Sequence, residues 1–218
     1  MLLSTAYFPP VEYFAKIAEG FTLSPDNMKP SVIYIEACEH YQKQSYRNRC
    51  KFYAENGIQT LSVPVIHEGG TFSHPITEIK VDYSTPWVLR SERAIISAYE
   101  SSPFFDYYKD ELFGLMEAGT PTLFGLNMSI TGWFLRKLGI PAEIRFTEKF
   151  NVTAPDIYGE DLRNVIHPKR DNTRLEDLQL KKPYYQVFSR KHGFIGNLSI
   201  MDLLFNEGPD SIVWLKRL

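Results

Sequence analysis

Between Tyr41 and Lys51 the chain places four positive charges, Lys43, Arg47, Arg49 and Lys51, with no acidic residue among them. Arginine grips phosphate or carboxylate through a planar fork of N–H donors, and lysine neutralises either as a point charge. Tyr41, Tyr46 and Asn48 are interleaved with these cations, and a tyrosine ring stacks on a flat ring or a sugar face. Read as a strand, the odd positions gather the cations on one face. Read as a helix, Lys43, Arg47 and Lys51 form a stripe at i, i+4 and i+8. Either geometry makes EHYQKQSYRNRC (Glu39–Cys50) a surface for an anion, most effective in a cleft that excludes water. The competing reading is a solvated charged strand with ordinary salt bridges.

Just upstream, Glu36, Cys38 and His40 alternate, so a continuing strand would turn all three to one side. His40 is the candidate general acid or base, and Glu36 the group that orients it or an acceptor amine. A zinc site would need a further ligand, His67 or His167, and no paired ligand spacing exists, so no metal is assigned. Asp161, Arg163, His167 and Lys169 form a second polar cluster, equally readable as a surface loop. Tyr185 and Gln186, in an aromatic stretch, are candidate ligand contacts. No Gly-rich phosphate loop, GxGxxG, GxSxG or HExxH motif occurs, which disfavours the commonest nucleotide hydrolases, dinucleotide oxidoreductases, serine esterases and zinc proteases. No cofactor is named by any motif.

These side chains need elements to hold them. Leu2–Tyr7 reads as a buried strand stopped by Phe8-Pro9-Pro10, and Val11–Glu19 as a helix closed by Gly20. FTLSPDNMKP (21–30) reads as a loop, and Ser31–Ala37 as a second buried strand. Strand, helix, strand predicts a parallel crossover, whose ligands sit outside the carboxyl ends of the strands. That rule brings Tyr7 and Pro10 beside Glu36–His40. Asn56-Gly57 predicts a hairpin in which Cys50 and Phe52 face the core and Arg47, Arg49 and Lys51 face a cleft or solvent. Helices are predicted over Trp87–Tyr99, over 103–117, and from Thr120-Pro121 to about Gly139, the first and third opened by Thr-Pro. Ala142–Thr147 reads as a strand, and 151–182 as surface chain with a short helix near Asp161. Ser199 caps a last apolar helix stopped by Gly208-Pro209.

The fold class is therefore α/β: a Rossmann-like parallel core with an inserted β-hairpin and a helical middle region, in one domain over residues 1–218. With 44% hydrophobic and 23% charged residues, usage is that of an ordinary globular chain. A net charge of −2 gives no whole-molecule attraction to nucleic acid, so the cationic run implies a small anionic partner. The two cysteines make no disulfide framework, and no segment approaches the roughly 20 apolar residues of a membrane span. No leader pattern opens the chain, and the expected address is the cytoplasm.

YFPPVEYFAKI, EHYQKQSYRNRC, LSVPV, LFGLN, DLRNVIHPK and NLSIMDLLFNEGP occur in this order along nearly the whole chain. In this the sequence resembles the WbqC-like family of bacterial proteins. Positions matching its motifs are Tyr41, Lys43, Ser45, Tyr46, Asn48 and Arg49, then Trp87, Tyr99 and Asn127. Two features depart from the pattern: Ser91 stands where a histidine is expected, and the 21–30 loop is long. The resemblance implies a place in bacterial surface-polysaccharide (O-antigen type) biosynthesis, among polysaccharide-assembly enzymes. The expected activity is a transferase moving an amino acid such as glycine, or another acyl group, to a sugar. Its donor would be a nucleotide-sugar, a phosphorylated sugar or an activated amino acid. Two alternatives stand beside it. One is a non-catalytic protein that binds a glycan intermediate or scaffolds the assembly enzymes. The other is a nucleotidyl or adenylyl transferase, although Pro9-Pro10-Val11 occupies the loop where such enzymes carry histidine.

Overall fold

The computed structural model describes residues 1–20, 30–66, 74–153, 155–170 and 183–216. Residues 21–29, read from the sequence as part of a loop, lie outside them, as do His67 and residues 171–182. Leu2 and Leu3 are completely buried, as are Ile33 and Ile35, which alternate with exposed Val32. They belong to β1 (Leu2–Ser4) and β2 (Ser31–Glu36). The hairpin strands are β3 (Arg49–Ala54) and β4 (Gly57–Ser62), and β5 is Ala142–Phe146. A parallel sheet runs in the order β1–β2–β5, with Leu3 opposite Ile35 and Ile33 opposite Ile144. The fold is thus α/β, a parallel sheet with helices against it and a separate antiparallel hairpin.

β1 is shorter than the sequence suggests. After Ser4 the chain turns, and Phe8 takes a positive φ of 43°. Phe8 is fully buried between Tyr7 and Phe134, at ring distances of 4.6 and 6.0 Å, so aromatic packing holds it in an unfavourable conformation. Pro9 and Pro10 then dock on the C-terminal region: Ile200 N–H donates to Pro9 O at 2.9 Å, and Val11 N–H to Leu198 O at 2.9 Å.

Helix α1 (Val11–Glu19) fills the crossover between β1 and β2. Gly20 ends it with φ −81°, so it serves by its small size: a Cβ there would lie 2.8 Å from Ser31 Oγ. The middle region is α2 (Trp87–Tyr99), α3 (Phe105–Glu117) and α4 (Leu123–Lys137). Thr122, not Thr120, caps α4, its side chain accepting the Gly125 N–H at 3.2 Å. Pro86 opens α2 with no side-chain cap, so the Thr85-Pro86 expectation is corrected there. Near the C-terminus come α5 (Ile200–Glu207), capped by Ser199, and α6 (Ser211–Leu215). The short helix expected near Asp161 lies earlier, at Pro155–Tyr158. Phe205 stacks edge-on against Tyr99 and Phe105, joining α5 to α2 and α3. Each such fully buried ring contributes roughly 1.5–3 kcal/mol. Among the described residues, no helix is long and apolar enough to cross a membrane.

Candidate functional site

The stretch from Tyr41 to Asn48 is neither strand nor helix. It makes two successive turns, helped by Gln44 at φ 59° and by Ser45, whose hydroxyl donates to Gln42 O at 2.7 Å. The cations are therefore divided between two directions. Arg47 points inward and is 3% exposed. Its Nε donates to Glu39 Oε1 at 2.9 Å and a terminal nitrogen to Ser4 Oγ at 3.0 Å, while a second Glu39 oxygen closes the fork. Burial still drives the Glu39 carboxyl above its ordinary value, against the opposing pull of Arg47. Arg47 is thus corrected from ligand contact to internal support.

A second buried pair lies at the ends of β2 and β5. Glu36, with no exposed surface, accepts from Arg163 at 2.7 Å, Thr147 Oγ1 at 2.5 Å and the Cys38 N–H at 2.9 Å. Arg163 also grips Asp161 at 2.7 Å. β2 ends at Glu36, so Glu36, Cys38 and His40 do not share a strand face; His40 is exposed, on a bridge to Pro75. The expected Glu36–His40 proton-transfer pair is therefore corrected: the carboxylate's oxygens are already taken up by other donors. These two buried pairs occupy the strand-end rim where a parallel sheet commonly holds its ligand.

Lys43 and Arg49 instead line an open cleft of about 750 Å³ between the hairpin and the first turns of α2. Tyr41, Gln44 and Asn48 share its near wall, Ser62 to Val65 run along it, and Asp82, Trp87, Arg90 and Ser91 form its far side. Asn48 is fixed by its side-chain N–H to Val63 O at 3.0 Å. Asn127 lies deeper, donating to Arg47 O at 2.8 Å, and so holds the turn from behind. Tyr83 packs against Trp87 at 5.8 Å. Among the described residues, the Arg49 Nε–H and the Trp87 Nε1–H are buried without a hydrogen-bond partner. Leaving such a donor unpaired costs about 1–3 kcal/mol. The amino-terminal end of α2 adds a favourable dipole for negative charge. Burial raises the Tyr41 phenol's pKa, with Arg49 and then Arg47 pulling it down.

Other expected contacts lie elsewhere. Tyr7 is buried with its N–H on Tyr46 O at 2.8 Å, and burial raises its hydroxyl's pKa, with Ser91 nearby opposing. Pro10 is packed against Ser199, and Ser45 and Tyr46 are buried in the turn, so none of these three lines the cleft. Lys169 reaches across to Gln44 Oε1, and burial lowers the pKa of His167, with Arg47, Arg170 and Lys169 adding to it. Both flank the 41–48 turn outside the cleft. Tyr185 is half exposed and apart from it.

Gln186 is sealed in a different network. Its amide donates to Asp202 Oδ2 at 2.7 Å, which also accepts from Tyr184 at 2.6 Å, while Oδ1 accepts from Tyr99 at 3.1 Å. Among the described residues no cation joins Asp202 there, and burial pushes its carboxyl up to about 6. This network corrects Gln186 to a structural role.

Arg90 and Asp82 are not among the residues that the sequence pattern picks out. Arg90 had a usable signal: it stands three residues after Trp87 and so shares its helix face. Asp82 had none. Cys38 and Cys50 are free; Cys50 is buried, and burial raises its thiol's pKa. Among the described residues, no three His, Cys, Asp or Glu side chains converge as a metal site.

A model of the WbqC-like protein family matches residues 5–167, a span that contains every residue lining the cleft. The uncharacterized protein Rv1507c of Mycobacterium tuberculosis (strain ATCC 25618 / H37Rv) is 24% identical over 197 residues. That alignment covers 81% of this chain and 84% of the relative. No solved structure matches.

Proposed function

The chain belongs to the WbqC-like protein family, and on that premise we propose that its cleft binds a phosphate- or carboxylate-bearing sugar derivative for transfer in surface-polysaccharide biosynthesis. The reading rests on one observation above the others: Arg49 and Trp87 each present a buried, unpartnered N–H beside a cleft that also gathers Lys43 and Arg90. Arg49 takes the anion, Lys43 and Arg90 neutralise it, and the Trp87 and Tyr41 rings meet the flat or sugar portion. The volume of about 750 Å³ suits a ligand the size of a nucleotide-sugar.

A second reading is favoured by the proton-transfer groups. Glu36 is sealed, His40 is outside the cleft, and Ser91 occupies the cleft position where the family resemblance leads one to expect histidine. A cleft equipped to hold charge, and lined by no imidazole among the described residues, suits capture of a glycan intermediate without turnover.

A thermal-shift screen tests both, since a true ligand stabilises the fold by mass action. Nucleotide-sugars and sugar phosphates are expected to raise the melting temperature, and their uncharged parent sugars are not. Turnover of the stabilising compound on mixing with candidate acceptors supports transfer, and tight binding without turnover supports capture. If no anionic sugar derivative shifts the melting temperature, the proposed ligand class is wrong.

A further inference from the structure

The two edges of the parallel sheet are treated differently. The β1 edge is covered: Leu2 N–H donates to Glu160 O at 2.8 Å, and Leu162 N–H to Leu2 O at 2.9 Å. β5 pairs with β2 on one side only, and no strand joins its other side among the described residues. Ser31 N–H reaches Pro141 O, and Thr147 N–H reaches Ile35 O. In a parallel pair the facing peptide groups alternate, so those of residues 143 and 145 point to β2 and those of 142, 144 and 146 point outward. A sheet edge without a strand beside it is a template for another strand.

The side chains of β5 say which strand fits. The sequence Ala-Glu-Ile-Arg-Phe is complementary to itself in antiparallel register about Ile144. Glu143 then faces Arg145 of the second copy, twice over, and half-exposed Phe146 faces the small Ala142. Ile144 meets itself on the two-fold axis with its outward N–H and C=O available for a reciprocal pair. Glu143 and Arg145 fall at the non-hydrogen-bonded positions, where opposed side chains come closest. Arg145 already bonds Glu143 of its own strand at 2.8 Å and the Tyr34 hydroxyl at 3.2 Å. Its five donors leave some for a second carboxylate.

We propose that β5 is a homodimerisation edge, where two copies pair antiparallel about Ile144 and join their sheets into one continuous six-stranded sheet. The contact is isologous, so it closes at two copies rather than growing into a fibre. It does not depend on the cleft or its ligand.

The register makes a charge-exchange test decisive. Glu143→Arg brings two arginines together at each site, Arg145→Glu brings two glutamates, and each is expected to weaken dimerisation roughly tenfold or more. Mixed in equal amounts, the two variants are complementary and should form a mixed dimer. The double exchange E143R/R145E should dimerise as the wild type does. Light scattering during size exclusion reads the masses over a concentration series, and circular dichroism confirms that the exposed substitutions leave the fold intact. A wild type that stays at one chain mass at every concentration overturns the proposal, as does dimerisation unaffected by either single exchange.

Discussion

Replacing Arg47 with methionine is expected to lower stability by about 3–5 kcal/mol, the cost of leaving one member of a buried ion pair behind. For a chain of this size that is a fall in melting temperature on the order of 10 °C. The stranded group is Glu39, whose carboxylate would keep only the Ser4 hydroxyl, at 3.0 Å, among the described residues. Changing both members, Glu39→Gln with Arg47→Met, should cost less than the single change, because no buried charge remains. The pH dependence has a definite sign. Without Arg47 the folded Glu39 carboxyl rises further above its ordinary value, so it holds its proton more readily folded than unfolded. The deficit of Arg47→Met relative to wild type should therefore shrink as pH falls towards 4.5 and grow above it. Urea unfolding at several pH values reads all three comparisons. A fully stable Arg47→Met variant would mean that Glu39 finds another partner.

Asp202→Asn isolates the other buried carboxyl. In the folded chain Asp202 titrates near 6, against an ordinary value of 3.8, because burial outweighs its three neutral donors. Between those values the folded state binds the extra proton. Its contribution is thus complete below about pH 4 and is lost as pH rises through 6. A displacement of about two pH units corresponds to roughly 3 kcal/mol. Asparagine cannot titrate, so stability of Asp202→Asn relative to wild type should climb by about that amount from pH 4 to 6.5, then level off. Parallel curves for the two proteins would show that Asp202 does not titrate in this range. The network also couples distant parts of the chain, since Tyr99 accepts the Tyr53 N–H from β3 at 3.2 Å while it donates to Asp202.

Local signals carried far. The Thr85-Pro86 pair marks a helix over about Trp87–Tyr99, although the cap it implies does not form, and the alternation of Cys50 and Phe52 turns both into the core. The hairpin turn was also legible, with Gly57 at φ 92° just after the Glu55-Asn56 connection. What failed depended on partners remote in sequence. Nothing near Arg47 says that Ser4, 43 residues away, waits for its guanidinium. Nothing near Glu36 announces Arg163 and Thr147, which close over it from the far end of the chain. Period-two and period-3.6 reasoning both assumed a regular element through 41–48, and the turns at Gln44 and Ser45 broke both patterns. The cleft itself was half visible. Its near wall lies in the cationic run, whereas Arg90 reaches it through the packing of α2 beside the hairpin and Asp82 through its N–H on Pro64 O at 2.9 Å.

In the proposed function Arg49 anchors an anion in the cleft beside Trp87. Isothermal titration of wild type and Arg49→Ala, using the nucleotide-sugar or sugar phosphate that gives the largest thermal shift, tests it directly. Hydrogen bonds to a charged group contribute about 1.5–3 kcal/mol, so affinity should fall roughly 10- to 100-fold. The melting temperature of the free variant should stay close to wild type, since Arg49 supports no partner among the described residues that its loss would strand. Equal affinity in the two proteins would contradict the account and place the ligand elsewhere on the molecule.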